Sequence, residues 1–483
     1  MKKKKKRAAD CFLDFKAKNL SLLEEADSPA VRALKAYLNS WEPEKAETNP
    51  ALKEVLSEID GANFVFYFDG KFLQEDAEVT TAWQSFYSSP EGKAQGICLV
   101  TGQNAPLARL HPAIKGVRGA QTSGASLISF NAPAFCSYGK EQGMNAQTGE
   151  YAAFAYGIAL NHLIADWEHT ASFSDTLVLF WASGGESAYQ DAFSAFAFGK
   201  DSYYSENDLR EMLRSLSRGK SVAFNEAQLD PNKDFYILGI TPNSARLSVR
   251  FFLYNSFGNI VKNAEEHQER LEIVRPNSDN FDSLPFWKLL AGMTNQKTES
   301  NNVPPILAGE MLRAILENSR YPAGMINAVT LRIRADREVT RERAAAIKAY
   351  YLKNQHIEVP KEVLTVALNP DSTNVPYTLG RLFSVLEMIQ SQANPNINST
   401  IRDKYFNSAS STPSVVFPML INLSQKHLKK LPAAKRIYDE KLLSSLMGLL
   451  EEGFPTRLTL PQQGAFQLGY YHQTQERYTK KEN

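Results

Sequence analysis

The strongest strand signal lies at residues 234–254, which read DFYILGITPNSARLSVRFFLY. Two apolar runs, DFYILGI and RLSVRFFLY, stand on either side of the turn-forming residues TPNSA, so this stretch predicts two strands joined by a turn. A buried strand is predicted upstream at TLVLFWAS (176–183). Helices are predicted on both sides, over 149–166 and 258–274, which makes the middle of the chain α+β.

The first 62 residues predict helices. Ser28 supplies an N-cap and Pro29 a proline at the first helical position. Residues 49–50 repeat this start signal with Asn and Pro. A β-hairpin is predicted next, because NFVFYF (63–68) is followed by Asp69-Gly70, a favoured two-residue turn.

A long loop is predicted from residue 115 to 147. This stretch is rich in Gly, Ser, Ala, Asn and Gln and shows no sustained helical or strand period. Ordered loops of this length are usually functional. Apolar residues within it, such as Leu127 and Phe130, argue against disorder. Just before it, GICLV (96–100) predicts a short strand.

The polar stretch 276–303 is the best candidate for a domain boundary, with one short helix at FWKLLAGM (286–293). No strand is predicted beyond it. The fold prediction is therefore an α+β body followed by an all-α C-terminal helical bundle. The predicted domains are 1–62, 63–300 and 304–483. Helical patterns in the last domain predict seven helices, over 305–318, 322–335, 340–354, 376–393, 413–430, 436–452 and 460–478.

Composition is that of a soluble globular protein. The chain has 483 residues, of which 43% are hydrophobic and 22% charged, and this balance excludes global disorder. No apolar run reaches the roughly 18 residues of a membrane span, and no signal peptide is visible. Cys11, Cys98 and Cys136 are too few and too widely spaced for a disulfide framework, so the predicted location is the cytoplasm.

Charge is unevenly distributed along the chain. Lys2–Lys6 and Arg7 carry six of the 54 positive charges, and the rest of the chain is slightly acidic because it holds 53 carboxylates. A uniform basic coat for nucleic acid is therefore excluded, and contacts with nucleic acid must come from local patches. The lysine run itself is interpreted as a solvated tail.

Motifs for catalysis are not found in the sequence. There is no HExxH or CxxC spacing, no P-loop, no GxGxxG between a strand and a helix, and no GxSxG. No catalytic residue, metal or cofactor is therefore predicted. His162 is interpreted as a core histidine on an apolar helix face. Asp166, Glu168 and His169 are the weak candidates for a metal site.

Two regions carry signals for nucleic-acid binding. In the loop 115–147, glycine allows close backbone approach to phosphate, Lys and Arg attract phosphate, and Asn and Gln can read base edges. A basic helical stretch at 320–361 adds further cations. The predicted DNA contacts are Lys115, Arg118, Gln121, Ser123, Asn131, Lys140, Gln142 and Asn145 in the loop, with Arg334, Arg337, Arg341 and Lys348 as further phosphate contacts.

Several stretches resemble one known family. The first and most specific is CLVTGQNAPLARLHPAIKGVRGAQTSGASLISFNAPAFCSYGKEQ (98–142). The others are ILGITPNSARLSVRFF (237–252), RIRADREVTRERAAAIKA (332–349), GRLFSVLEMIQ (380–390) and LGYYHQ (468–473). Together they resemble the large subunit of the type I-C CRISPR Cascade complex, and the resemblance covers nearly the whole chain.

This resemblance implies a non-enzymatic subunit that recognises the protospacer-adjacent motif on double-stranded DNA, helps to open the duplex and presents the complex to a separate helicase-nuclease. The implied partners are the backbone subunits that carry the CRISPR RNA, the subunit that binds its handle, a separate small subunit and the target DNA. In such complexes guide–target pairing supplies most of the sequence specificity.

The resemblance also implies two features of organisation. The match begins just after MKKKKKR, so the chain is expected to be N-terminally shortened and to lack part of the motif-reading surface. Residues from about 365 to 483 resemble the small subunit. An internal translation start near Val363–Val366, or at Met325, would produce that subunit separately.

Two other functions remain open from the sequence. A metal-dependent nuclease acting on guide or target would use Asp166, Glu168 and His169, and its cleavage would be abolished by EDTA. A scaffold that binds only proteins would present the basic stretches as solvated faces, and it would not show DNA binding that weakens steeply with salt.

Overall fold

A computed structural model describes residues 2–52, 64–88, 93–173, 175–198, 206–225, 227–295, 304–451 and 453–478. The chain divides into two compact units. The first comprises Met1–Ile114 and Ser126–Leu160, and the second comprises Lys115–Ala125 and Asn161–Asn483. Most of the helix predicted after residues 49–50 lies outside the described residues.

The amino-terminal part of the first unit contains two helices and a small hairpin. Helix α1 spans Lys2–Leu22 and α2 spans Pro29–Ser40. The Ser28 hydroxyl accepts a hydrogen bond from the backbone N–H of Val31, which confirms the predicted N-cap. Strands β1 (Tyr67–Phe68) and β2 (Lys71–Phe72) pair across Asp69-Gly70, so the predicted hairpin is confirmed but is only two residues long on each side.

The rest of the first unit is mostly irregular backbone. Its elements are α3 (Ala77–Ser88), β3 (Gln95–Ile97), β4 (Asn104–Pro106), β5 (Ala113–Ile114) and β6 (Ala125–Ser126), and α4 (Glu150–Ala165) begins here. The stretch predicted as a long loop contains β6 and two single 3₁₀ turns, at Pro133–Phe135 and Gln142–Asn145. This confirms a long ordered loop with local structure.

The α+β part of the second unit is built on an antiparallel sheet. Strands β11 (Asp234–Asn243) and β12 (Arg246–Ser256) are the two predicted strands. They are longer than predicted, because Pro242 and Asn243 still pair with β12 and the turn is reduced to Ser244 and Ala245. Strand β8 (Thr176–Ala182) pairs with β11, and β7 (Thr170–Phe173) pairs with β8.

Helices cover one face of this sheet with aromatic side chains. The ring of Phe180 on β8 lies 4.8 Å from that of Phe193, and the ring of Phe235 lies 5.2 Å from that of Phe257, all four fully buried. Burial of each such side chain stabilises the folded protein by about 1.5–3 kcal/mol. The remaining elements here are α5 (Ser187–Phe198), α6 (Glu206–Ser217), β9 (Val222–Phe224), β10 (Ala227–Leu229), α7 (Phe257–Leu271) and α8 (Phe286–Gly292).

The described chain after β12 contains helices and no strand, so the predicted α+β body followed by a helical bundle is confirmed. One helix, Ile401–Ser411, was not predicted; it is short and polar, and a capping box of Thr400 and Asp403 starts it. No described helix combines the length and the apolar character that crossing a membrane requires. The helices are α9 (Pro305–Leu316), α10 (Ala323–Asp336), α11 (Arg341–Asn354), α12 (Val375–Ala393), α13 (Ile401–Ser411), α14 (Pro413–Leu428), α15 (Ala433–Gly448) and α16 (Leu460–Glu476).

Helices α12 and α16 touch through their backbones. A Cβ atom added at Gly380 would overlap the carbonyl oxygen of Phe466, and one added at Gly469 would overlap that of Tyr377. Both glycines therefore allow an approach that no other residue permits. Around this contact pack the fully buried side chains of Phe383, Phe406 and Phe466.

We predict that Gly380→Ala destabilises the protein by about 2–3 kcal/mol, because the added methyl group forces two packed helices apart. Gly448→Ala in α15 is the matched control. A Cβ atom at Gly448 meets no atom of the described residues within 4 Å, so this variant should be unchanged or up to about 1 kcal/mol more stable through helix propensity. Chemical denaturation measures both, and equal stabilities of the two variants would contradict the close contact.

Candidate nucleic-acid interface

A cavity of about 180 Å³, lined by both polar and apolar side chains, lies in the loop region of the first unit. Three segments enclose it, 109–111, 126–131 and 142–143. Among its lining residues, those with hydrogen-bonding side chains are Arg109, His111, Ser126, Ser129, Asn131 and Gln142, and those with large apolar side chains are Leu110, Ile128 and Phe130. The cavity therefore brings together two of the predicted contacts, Asn131 and Gln142.

Gly143 holds two of these segments together. Its N–H donates a 2.9 Å hydrogen bond to the carbonyl oxygen of Arg109. A Cβ atom at this position would overlap the carbonyl oxygen of Ala108, so the close approach requires glycine. The preceding residue, Gln142, is held in the left-handed region at a φ of 44°. The side chain of Gln142 is thereby placed beside that of Arg109.

Asn145 supports the loop from behind. Its Oδ1 accepts a hydrogen bond from the backbone N–H of Ser137 at 2.9 Å. Its Nδ2 donates to the carbonyl oxygens of Lys140 at 3.1 Å and Gln142 at 3.0 Å. Both the oxygen and the nitrogen of this amide therefore bind the backbone and shape the loop, and its predicted contact with DNA stays a prediction.

The polar side chains at the cavity include a cationic arginine and a neutral histidine. Nη1 of Arg109 donates to Oε1 of Gln142 at 2.9 Å. Nδ1 of His111 lies 2.7 Å from the hydroxyl oxygen of Tyr156. Burial lowers the pKa of His111, so the imidazole is neutral at pH 7. Burial also raises the pKa of Tyr156 to about 12, so its hydroxyl stays protonated.

Four predicted contacts, Lys115, Arg118, Gln121 and Ser123, lie together on a loop of the second unit with exposed side chains. Backbone atoms fix this loop. The N–H of Lys115 donates to Oδ1 of Asn161 at 2.8 Å, and that of Gln121 donates to the carbonyl oxygen of Ser244 at 3.3 Å. The loop is thus anchored without using the cationic groups of Lys115 and Arg118.

The remaining loop cation, Lys140, is exposed on the first unit. In the helical part, Arg334 and Arg337 are exposed at the end of α10. Arg337 ends this helix in the left-handed conformation at a φ of 56°, and Nη2 of Arg334 donates to Oε1 of Gln463 at 2.8 Å. These three cations face solvent, as a phosphate contact requires.

Arg341 is not available for phosphate, contrary to the prediction. Only 6% of it is exposed. Its guanidinium donates to the Asp279 carboxylate at 3.0 Å and to the carbonyl oxygens of Phe281 and Asp282 at 2.6 and 2.8 Å. Burial alone would raise the pKa of Asp279. Hydrogen bonds, including those from Lys288 and Arg341, outweigh this effect and lower the pKa to about 2. Arg341 therefore ties α11 to the loop before α8.

Lys348 is likewise corrected. It is 3% exposed, and its Nζ donates to the carbonyl oxygen of Arg270 at 3.1 Å. Burial lowers the pKa of this ammonium to about 8. Arg341 and Lys348 are seven residues apart and share one face of α11, as predicted. Because other elements surround α11, this face points into the protein.

The histidines also differ from prediction. His162 is exposed rather than part of the core. Nδ1 of His169 lies 2.6 Å from Asp166, and Nε2 lies 2.7 Å from Asp191. Both ring nitrogens thus contact carboxylates, and within the described residues no group of three His, Cys, Asp or Glu side chains is arranged to hold a metal ion.

Sequence reasoning missed Arg109, His111 and Phe130 as parts of the cavity. Arg109 and His111 precede the Gly/Asn-rich loop in the chain, and they come next to Gln142 only through the backbone bond of Gly143. Their signal was present in the stretch LARLHP (107–112), where polar side chains alternate with apolar ones immediately before a proline.

Comparison with known proteins returned one family. The family model described as CRISPR-associated protein (Cas_Csd1) matches residues 1–478. No curated protein matches the chain.

We predict that the free energy of unfolding of the wild type increases, relative to that of Lys348→Met, as the pH rises from 7.5 to 9.5. The folded-state pKa of about 8 lies below the ~10.4 of an unfolded lysine. In this window the unfolded chain binds more protons, so stability rises with pH. Urea unfolding of both proteins at the two pH values measures the change.

The control for this prediction is Lys429→Met, because Lys429 is exposed at the end of α14. Its stability relative to the wild type should be the same at both pH values. A pH-independent difference between the wild type and Lys348→Met would contradict the burial of the ammonium.

Proposed function

Because the chain belongs to the Cas_Csd1 family of CRISPR-associated proteins, we propose that it is the non-enzymatic large subunit of a type I-C RNA-guided DNA surveillance complex. In this proposal it recognises the protospacer-adjacent motif on double-stranded DNA, aids opening of the duplex and recruits a helicase-nuclease. Its partners are the backbone and handle-binding subunits with their CRISPR RNA, and a separate small subunit.

The observation that carries the proposal is the anchored loop with Lys115 and Arg118. Two cations, a glutamine and a serine are exposed on one short loop whose conformation depends on backbone hydrogen bonds to Asn161 and Ser244. Cations fixed in this way can neutralise neighbouring phosphates at little ordering cost. Gln121 and Ser123, which follow the two cations on this loop, carry polar side chains that can contact sugar or base edges, as DNA recognition requires.

Solvent-facing cations elsewhere fit the same role. Lys140 beside the cavity and Arg334 with Arg337 on α10 offer further phosphate contacts. Motif reading by a protein needs a few base contacts supported by many phosphate contacts, because guide pairing reads the remaining sequence. This supports a DNA-handling subunit over a scaffold that binds only proteins.

The test is a gel shift with the chain assembled with its backbone subunits and a guide. Matched duplexes differ only in the motif, and each is run with and without EDTA. The expected result is motif-dependent binding and no cleavage in either condition. Binding that ignores the motif would contradict motif reading by this chain, and cleavage that EDTA abolishes would show a metal-dependent nuclease instead.

We predict that Lys115→Gln combined with Arg118→Gln weakens DNA binding and makes it less sensitive to salt. Each lost phosphate contact reduces the slope of log affinity against log salt by roughly 0.9, so the double variant should lose between about 1 and 2. Titration of DNA binding at several salt concentrations measures this slope.

The matched control is Lys220→Gln combined with Lys262→Gln, which removes two exposed positive charges elsewhere on the second unit. Its slope should equal that of the wild type. If both double variants lose the same slope, the effect is one of net charge, and the loop is not a specific phosphate contact.

A further inference from the structure

Several side chains that line the cavity of the first unit can donate hydrogen bonds. Arg109 carries five N–H groups, and among the described residues Nη1 donates to Oε1 of Gln142. That bond occupies the acceptor of the Gln142 amide and leaves its NH₂ group as a donor. The hydroxyls of Ser126 and Ser129, which also line the cavity, can donate as well. These donors favour a ligand that presents acceptors.

Size and walls restrict the ligand further. The cavity, at about 180 Å³, is below the ~300 Å³ where pockets for drug-sized ligands begin. Phe130, Ile128 and Leu110 form apolar walls beside the polar groups. Proteins bind an unstacked base by stacking it on an aromatic ring and by hydrogen bonds from nearby polar side chains.

We propose that this cavity receives one unstacked nucleobase of the target DNA, and that the base is guanine. Guanine presents O6 and N7 as adjacent acceptors, which match the fork of an arginine. Arg109 and the amide of Gln142 face that edge, and Phe130 lies against the ring. This inference rests on the proposed function and assigns a reading site within it.

The test replaces each guanine on either strand of the motif, one at a time, by 7-deazaguanine. This analogue lacks only the N7 acceptor. The assembled complex with wild-type chain should bind one of these duplexes about five- to tenfold more weakly, the size expected for part of a bidentate base contact. Equal binding of all these duplexes would overturn the assignment.

Two variants locate the effect in the cavity. Arg109→Lys keeps the positive charge but removes the planar fork, and Gln142→Asn keeps a residue that tolerates a positive φ but shortens its reach. Both should discriminate less than twofold between guanine and 7-deazaguanine. Ser137→Ala, exposed on the same loop and outside the cavity lining, should discriminate like the wild type.

The experiments distinguish failure of this inference from failure of the proposed function. If exchanging the whole motif changes affinity but the two variants keep full discrimination, the base is read elsewhere and the cavity assignment is wrong. If exchanging the motif leaves affinity unchanged, motif reading by this chain is wrong. Melting temperatures equal to the wild type exclude unfolding as the cause of a lost effect.

Discussion

Direct contact between peptide backbones, which only glycine allows, determines both the helical part and the cavity of this protein. Gly380 and Gly469 let α12 and α16 meet without side chains between them. The aromatic residues of the bundle then pack around this pair. In the first unit, Gly143 lets the segment 142–145 lie against the carbonyls of Ala108 and Arg109. The same constraint thus positions a core in one unit and a polar site in the other.

The basic residues fall into two groups, those buried within the fold and those exposed to solvent. Arg341 and Lys348 on α11 point inward, where carboxylate and carbonyl oxygens satisfy them. Arg343, two residues after Arg341 on the same helix, donates to Asp336 at 2.5 Å and to the carbonyl oxygen of Gly292 at 2.9 Å. Removing one partner from such a buried pair leaves an uncompensated charge. These cations therefore stabilise the fold, whereas others such as Arg337 are exposed to solvent.

Periodicity was sufficient to predict most of the regular structure. The strands around 234–254 and the helices α9 to α12 follow from apolar spacing, because that spacing is set by the element itself. Helix α13 was missed because it is short, few of its residues are apolar, and its start depends on the capping box of Thr400 and Asp403. The direction in which Arg341 and Lys348 point could not be predicted, since it depends on which elements surround α11. The cavity could not be predicted for the same reason: Arg109 and Gln142 are 33 residues apart in the chain.

In the proposed function, the side chains that bind nucleic acid must stay available while the backbone that carries them stays rigid. The loop with Lys115 and Arg118 achieves this through main-chain N–H groups bonded to Asn161 and Ser244. The loop beside the cavity does so through a dedicated amide, Asn145, whose oxygen and nitrogen both bond to the backbone. The two loops belong to different compact units. In the proposed function, a substitution on one loop therefore alters phosphate binding while the other loop keeps its own geometry, which separates affinity for DNA from recognition of a base.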